Sequence, residues 1–177
     1  ADIGRIGANH QPVDGDAAAL NPVFDITGAG AEVGFAIAGD GPLRRKLQRQ
    51  AADLDNVTFH GWLNRVALRE LLDSSDLLLL PSRLETFGSI ALEAMARGRP
   101  ALVAAGAGIH EWHDLRDGLI ALQDNEAIAD KIEALSRQSF ATRQTRSDRA
   151  RLAAERLNAS TIDTWSELIV RAARAPR

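Results

Sequence analysis

Residues 77–100 form the stretch that decides the fold, and they read Leu-Leu-Leu-Leu-Pro-Ser-Arg-Leu-Glu-Thr-Phe-Gly-Ser-Ile-Ala-Leu-Glu-Ala-Met-Ala-Arg-Gly-Arg-Pro. The four leucines predict a strand that is buried on both faces, as strands of a parallel sheet are. Ser89 to Arg97 predicts a helix, which Gly98 ends with Pro100 beyond it. Because a strand, a short loop, a helix and the next strand follow one another, the stretch predicts a βαβ unit.

The same alternation continues on both sides of this stretch. Apolar and β-branched runs predict further strands, and apolar residues at helical spacing predict helices between them. The predicted strands are Val33–Ala38, Asn56–Phe59, Ala101–Ala104 and Gly118–Leu122, and the predicted helices are Leu43–Leu54, begun by Pro42, and Leu63–Leu72. We therefore predict an α/β fold, a Rossmann-like, doubly wound parallel sheet of about six strands.

The pattern becomes helical after Gln123. Asp124 or Asn125 is expected to cap a helix through Leu135, a second helix covers 141–157, and Ser160 or Thr161 caps a last one. No repeat or low-complexity linker divides the chain, so residues 1–177 are predicted to form one domain with these C-terminal helices.

The composition excludes several classes of protein. The 177 residues are 45% hydrophobic and 25% charged, as in an ordinary globular domain. The formal net charge of −3 gives no basic field for nucleic acid, and the absence of cysteine excludes disulfides and thiolate chemistry. No segment has the length of a membrane span or the pattern of a signal peptide, so we expect a cytoplasmic protein. The abrupt start without methionine suggests a processed chain or part of a longer one.

The loop after the leucine strand carries the candidate chemistry. Glu85 lies just beyond that strand, and in open parallel sheets ligands bind at the carboxyl ends of strands. Gly88 permits close backbone approach, and the N–H groups of Gly88, Ser89 and Ile90 would face a phosphate at the start of a helix. Glu93, one turn further on, can accept two hydroxyl hydrogen bonds from a ribose diol. These groups suit a ligand with hydroxyls at both ends and a diphosphate between them.

The pattern Pro-Ser-x-x-Glu-x-Phe-Gly…Glu-Ala-Met-Ala-x-Gly-x-Pro over residues 81–100 resembles the retaining family 4 glycosyltransferases of the GT-B fold. Further segments match that family in the same order, over roughly residues 33–135. They are Ala38–Pro42, Val57–Gly61, Ser75–Ser82, Gly108–Glu111 and Asp117–Ile120. The resemblance implies that the chain is the C-terminal, donor-binding half of a GT-B enzyme.

The resemblance also implies roles for single residues. Glu85 would contact the donor sugar as the catalytic residue, and Glu93 would bind the ribose. Arg5 would follow the first strand and meet the diphosphate. The other donor-binding residues would be Phe87, Gly88, Ser89 and Ile90 around the sugar and diphosphate, His60, Gly61 and Trp62 beside the base, and the turn glycines Gly39 and Gly41. Since family members meet the phosphates with protein groups, no metal and no other cofactor is expected.

The function implied is transfer of a sugar, with retention, from a nucleotide diphosphate sugar to an acceptor, as in carbohydrate or cell-envelope polysaccharide biosynthesis. The partners would be that donor and an N-terminal acceptor domain that this chain lacks. Residues from about 160 to 177 would form a terminal helix that crosses to that domain. Trp165, Leu168 and Ile169 would form its packing stripe. The isolated domain is expected to bind nucleotide weakly and to catalyse nothing.

Two departures from the family pattern keep an alternative open. The family has a lysine before a glycine near the first strand, where this chain has Asp14 before Gly15. An anion beside a diphosphate would oppose binding by an amount on the order of 1–4 kcal/mol. Thr86 replaces a glycine, which is a milder change. The alternatives are a non-catalytic nucleotide-sugar-binding or interaction module and, less favoured, a sugar-nucleotide epimerase.

Three other patterns have simple interpretations. Gly28–Gly34 has the wrong spacing for a dinucleotide fingerprint and is predicted to be a loop. His110-Glu-Trp-His113 has its histidines three apart instead of four, which favours a loop with Glu111 near the sugar over a zinc site. The run Arg137–Arg156 has six arginines against two acids. A solvated helix face is the default for it, and peripheral contact with the anionic inner membrane surface is the alternative.

Overall fold

The computed structural model describes residues 4–9, 33–82, 84–124 and 126–174. Their strands form one sheet, in which all neighbouring strands are parallel. The strands are β1 (Gly4–Asn9), β2 (Val33–Ala38), β3 (Val57–Gly61), β4 (Leu77–Leu80), β5 (Ala101–Ala104) and β6 (Leu119–Leu122). Their order is β3-β2-β1-β4-β5-β6, so the winding direction reverses between β1 and β4. This is the strand order of the Rossmann fold, and the predicted fold class is confirmed.

The leucine strand β4 lies in the middle of the sheet, where both of its faces are covered. Leu78 and Leu80 belong to the hydrophobic core on one face, and Leu77 and Leu79 belong to the core on the other. All four side chains are buried. The alternation follows from the period of two in a strand, which points successive side chains to opposite faces.

Helices cover both faces of the sheet. They are α1 (Arg44–Gln50), α2 (Arg65–Asp73), α3 (Ser89–Ala96), α4 (Ile128–Ser136) and α5 (Phe140–Arg174), with two short 3₁₀ helices at Gly108–Glu111 and His113–Gly118. On one face α3 and α5 pack through small residues such as Ala94 and Ala150, which lets the helices approach closely. On the other face Ile132 of α4 belongs to the same hydrophobic core as Phe35 and Leu102. The result is the three-layer arrangement that a doubly wound sheet requires.

Several predicted helix ends are wrong. Pro42 lies in a turn, and α1 begins after Leu43. The helix α4 begins after Ala127 and has no side-chain cap, so Asp124 does not cap it, whereas Asn125 lies outside the described residues. The predicted break at Ser160 is absent because α5 is continuous. Ser160 Oγ donates instead to the carbonyl oxygen of Leu157, three residues back within the helix, which is the other option open to a helical serine.

The second half of α5 extends away from this core. Residues 158–171 are all exposed, including Trp165 at 62% and Ile169 at 64%. The residues of the predicted packing stripe are therefore exposed, and the part of the chain that the structure describes does not cover them. Their packing against another domain stays a prediction. None of the helices in the described ranges is both long enough and apolar enough to cross a membrane.

Candidate functional site

The loop between β4 and α3 turns sharply at Gly88. This glycine has a φ of 98°, a left-handed conformation that side chains disfavour, and it forms the N-cap of α3. A Cβ at this position would lie 3.3 Å from Leu80 Cδ2 and 3.6 Å from Glu85 Cγ. The turn thus brings the backbone of the helix start close to the carboxyl end of β4.

The first turn of α3 leaves backbone donors open. The Ala91 amide donates to the carbonyl oxygen of Gly88 at 2.8 Å, whereas the amides of Ser89 and Ile90 have no acceptor within the described ranges. Free N–H groups at a helix N-terminus, together with the positive end of the helix dipole, form a site for an anion. Ser89 is exposed and Ile90 is half-buried, so the site is reachable from solvent.

Glu85 is held through its backbone and keeps its carboxylate largely available. Its carbonyl oxygen accepts from the Gly108 amide at 3.2 Å, and its Oε1 accepts a long 3.4 Å hydrogen bond from the Phe87 amide. The side chain is half-buried. Gly108 is required for this approach, because a Cβ there would lie 2.0 Å from the Thr86 carbonyl oxygen. The predicted catalytic carboxylate and the open amides therefore lie on either side of Gly88, where the loop joins α3.

An aromatic pair supports the same loop. Phe87 and Trp112 meet edge to face, with ring centroids 5.6 Å apart and an interplanar angle of 80°. Phe87 also packs against the buried core, and Trp112 remains 47% exposed. Sequence reasoning missed both Trp112 and the clamp by Gly108. The only available indication was the match of the 108–111 segment to the family, which gives no pairing.

The segment that holds both histidines folds as the two 3₁₀ helices. His110 Nε2 lies 3.3 Å from the carbonyl oxygen of Val103, so this ring is directed to the end of β5. Glu111 and His113 are exposed. Among the described residues, no group of three or more His, Asp or Glu side chains is placed to hold a metal ion.

Glu93 lies on α3, one turn after Ile90. Its side chain is exposed and has no hydrogen bond or ion pair within the described part of the chain. Because α3 carries Ser89, Ile90 and Glu93 on consecutive turns, the structure brings the predicted ribose ligand and the open amides onto one helix.

A second glycine turn lies at the carboxyl ends of β2 and β3. The Gly39 amide donates to the Gly61 carbonyl oxygen at 2.7 Å, and both glycines have positive φ, 118° and 67°. The strand register shifts here, so that Gly61 pairs with Ala38 and His60 is passed over. His60 and Trp62 flank Gly61 and are both exposed, Trp62 at 64%.

Arg44 closes this second turn, and sequence reasoning did not identify it. Its Nη1 donates to Asp40 Oδ2 at 2.9 Å, and its guanidinium covers Gly61 so closely that a Cβ there would lie 2.9 Å from Nη1. The Gly41 amide donates to Asp40 Oδ1 at 2.8 Å. This amide and the Arg44 guanidinium hold the pKa of Asp40 below its ordinary value of 3.8. The turn is therefore tied together by a charged pair at neutral pH.

The predicted position of Arg5 is wrong. It is the second residue of β1, paired with Gly34, and does not follow the strand. Since its neighbour Ile6 pairs with Leu77, the first residue of β4, the backbone of Arg5 lies at the amino edge of the sheet. Glu85 and Gly88 lie beyond the carboxyl edge. Asp14 and Gly15, the predicted departure from the family pattern, lie outside the described residues.

Known proteins resemble this chain in sequence. The sequence profile of the family described as "Glycosyl transferases group 1" matches residues 2–138. A GDP-mannose-dependent alpha-(1-6)-phosphatidylinositol dimannoside mannosyltransferase of Mycobacterium tuberculosis is 36% identical over 117 residues, which are 66% of this chain and 30% of that protein. The chain thus spans about a third of the length of this relative.

Solved structures share the fold at low sequence identity. The Anabaena protein HepE, in complex with UDP and glucose, superposes with a TM-score of 0.72 at 19% identity, covering 95% of this chain and 48% of that one. The catalytic domain of the cholesterol-alpha-glucosyltransferase of Helicobacter pylori gives a TM-score of 0.67 at 18% identity, covering 88% of this chain and 99% of that one. These likenesses show the architecture alone.

Proposed function

We propose, from the premise that the chain belongs to the glycosyl transferases group 1 family, that it is the donor-binding domain of an enzyme that transfers a sugar from a nucleotide diphosphate sugar to an acceptor. One observation carries the proposal. Glu85 and the open amides of Ser89 and Ile90 share the loop after β4, beside the point between β1 and β4 where the strand order reverses. Ligands of open α/β sheets bind in the crevice at such a point.

The diphosphate would lie at the start of α3. Its oxygens would accept from the amides of Ser89 and Ile90, and the helix dipole would favour their charge. When the bond to the sugar breaks, negative charge grows on the leaving diphosphate, and fixed donors placed at that charge lower the barrier. We propose that these protein groups, and not a metal ion, meet the phosphates.

The sugar and the nucleoside would extend in opposite directions from the diphosphate. Glu85, with its backbone fixed by Gly108, would position the sugar, and Glu93 would accept hydrogen bonds from the ribose hydroxyls. The base would lie near Gly61 and Trp62. The pattern over residues 81–100 supports assignment to the retaining family 4, in which the transferred sugar keeps its anomeric configuration.

The acceptor would bind to a part of the protein other than this domain. The chain spans 30% of the mannosyltransferase and 48% of the HepE structure, so both have room for a further domain. The exposed stripe with Trp165 and Ile169 on α5 is available for packing against such a domain. On this basis the isolated domain would bind donor without transferring sugar. A cytoplasmic location and contact with the inner membrane stay predictions.

A panel of nucleoside diphosphates and their sugars, titrated calorimetrically into the 177-residue chain, tests the proposal. We expect at least one to bind, and we expect Glu93→Ala to weaken it about tenfold through loss of a charged hydrogen-bond acceptor. Glu70→Ala is the matched control, since Glu70 is an exposed glutamate on α2 without side-chain bonds within the described residues. Absence of binding across the panel, or an equal loss in the two variants, would contradict a donor site at α3.

A non-catalytic nucleotide-sugar-binding module is the second candidate, and the position of Arg5 favours it. With the backbone of Arg5 at the amino edge, the predicted cation beside the diphosphate has no structural support. The two candidates differ in what Glu85 does. If this domain is part of the catalytic site, Glu85→Ala in the complete protein should abolish sugar transfer and spare most donor binding. If the domain only binds, the variant should bind donor, and support whatever activity the complete protein has, as well as the parent does.

A further inference from the structure

The first half of α5 follows the amino edge of the sheet. Ser147 Oγ donates to the carbonyl oxygen of Gly98, and a Cβ on Gly118 would lie 2.6 Å from Ala150 Cα. Gly98 stands shortly before β5, and Gly118 directly precedes β6. In a parallel sheet this edge is opposite to the one that carries the Glu85 loop. Strands of four residues separate the two edges by about 13 Å.

A cavity of about 250 Å³ opens along this part of α5. It is lined by Asp117 from the second 3₁₀ helix and by Thr142, Thr145, Arg146 and Arg149 from α5. The four helical residues follow the spacing of a single helix face. The volume is below the roughly 300–1,000 Å³ of pockets for larger ligands, so the cavity suits a small group.

The arginines in this cavity carry charge that the described residues do not neutralise. Arg146 makes one long hydrogen bond, from Nη2 to Gln138 Oε1 at 3.5 Å, and its buried Nε has no acceptor there. Arg149 is exposed, with neither a hydrogen bond nor an ion pair within the described ranges. Asp117, the only acid in the lining, is paired at 3.2 Å with Arg156. Two arginines thus line one small cavity, and neither has a carboxylate partner within the described residues.

The threonine hydroxyl groups in the lining are less available to a ligand than the arginines. Thr145 Oγ1 donates to the carbonyl oxygen of Ala141, and Thr142 Oγ1 shares a hydrogen bond with Ser139 Oγ. A ligand would therefore be held chiefly by the guanidinium groups, whose planar arrangement of N–H donors matches carboxylate and phosphate oxygens. The net charge of the whole chain is −3, so this positive site is local and does not follow from the overall charge.

We propose that Arg146 and Arg149 form a second anion-binding site, which takes a phosphate group at the amino edge of the sheet. It is separate from the donor site proposed at α3, so the protein would bind a phosphate-bearing ligand in addition to its donor. Soluble phosphate esters and the headgroups of anionic phospholipids offer the same chemistry to this cavity. A headgroup would place α5 against the membrane surface.

The site can be located by titrating inorganic phosphate into the labelled protein and following backbone amides by NMR, at constant ionic strength set with sodium chloride. We expect the amide resonances of residues 142–149 to shift as phosphate binds. Arg149→Gln should weaken the phosphate affinity obtained from these shifts about tenfold. Arg151→Gln is the matched control, because Arg151 lies on the same helix, 54% exposed and beside Asp148 and Glu155, outside the cavity. Both changes remove one exposed positive charge.

The positions of the shifted resonances distinguish this site from the donor site, since phosphate at α3 would shift the amide resonances of Ser89 and Ile90. The response at 142–149 is expected whether or not a nucleotide binds elsewhere.

Vesicle flotation identifies whether the phosphate belongs to a lipid headgroup or to a soluble ester. Flotation with phosphatidylglycerol but not phosphatidylcholine vesicles, weakened by Arg149→Gln alone, indicates a lipid headgroup, and a phosphate response without flotation indicates a soluble ester. No shift at 142–149, or equal losses in both variants, would overturn the proposal.

Discussion

Two glycine turns at the carboxyl edge of the sheet are built in opposite ways. The turn after β4, at Gly88, is clamped from outside by the Gly108 backbone and leaves the amides of Ser89 and Ile90 open. The turn between β2 and α1 is clamped by a charged side-chain pair and uses its own amides, because the Gly41 amide donates to Asp40. The second turn therefore uses its Gly39 and Gly41 amides internally, whereas the first turn leaves two consecutive amides open at the start of a helix.

The second turn also contains an arginine that could supply the positive charge of the lysine that Asp14 replaces in the family pattern. Arg44 lies near the carboxyl edge, where a cation could replace the lysine that the family has near the first strand. Its charge is already matched by Asp40 at 2.9 Å, so it is not a spare partner for a diphosphate. We infer that Arg44 positions the second turn, and that a diphosphate in the proposed donor site would depend on the amides of the first turn.

Breaking the backbone clamp of the first turn should have the largest effect. Gly108→Ala would place a Cβ 2.0 Å from the Thr86 carbonyl oxygen. The other nearest atoms are also backbone, from Thr86 and Phe87, so no flexible side chain can move aside to remove the clash. We expect a loss of about 3 kcal/mol in the free energy of unfolding, measured by urea denaturation, together with loss of nucleotide binding. Gly106→Ala is the control, since a Cβ there meets nothing within 4 Å. It should change stability by less than about 0.5 kcal/mol. Equal stability of the two variants would show that the loop yields freely.

Five of the six strands in the described residues could be predicted from sequence because their signals are local, whereas β1 was not located. Leu77–Leu80 is apolar at every position, and burial on both faces is the simplest structure for such a run. The break predicted at Ser160 was wrong for a local reason as well. A serine hydroxyl can cap a new helix or bond back within a continuous one, and the nearby sequence does not distinguish these choices.

The candidate site could be predicted only in part. Glu85 and Gly88 stand in one short segment whose pattern predicts both, and their closeness follows from that segment alone. Their roles stay predictions. The clamp from Gly108 to Glu85 and the cover of Arg44 over Gly61 join residues far apart in sequence. Such contacts depend on the strand order and the shifted register, which no local pattern specifies.

Breaking the second turn should cost less than breaking the first. Gly61 has a φ of 67°, and a Cβ there would displace the guanidinium of Arg44, which is the movable end of a long side chain. Gly61→Ala should therefore lower the free energy of unfolding by about 1–2 kcal/mol, the cost of a left-handed non-glycine residue. Gly41→Ala, whose Cβ would meet nothing within 4 Å, should remain within about 0.5 kcal/mol of the parent. If the two variants unfold at the same urea concentration, neither the left-handed backbone at Gly61 nor the guanidinium of Arg44 constrains this turn.

The smallest expected effect is a pH dependence confined to the second turn. The Gly41 amide and Arg44 lower the pKa of Asp40 in the folded protein below 3.8. The carboxylate therefore stabilises the fold above pH 3.8, and this contribution is lost as the pH falls through the lowered value. Asp40→Asn should be less stable than the parent at neutral pH, and the difference in melting temperature should shrink under acid. Glu126, whose pKa is lowered mainly by Lys131, is present in both proteins and cancels in the difference. A difference that stays constant into acid would mean that the charge of Asp40 does not hold the turn, leaving its closure to the backbone bond between Gly39 and Gly61.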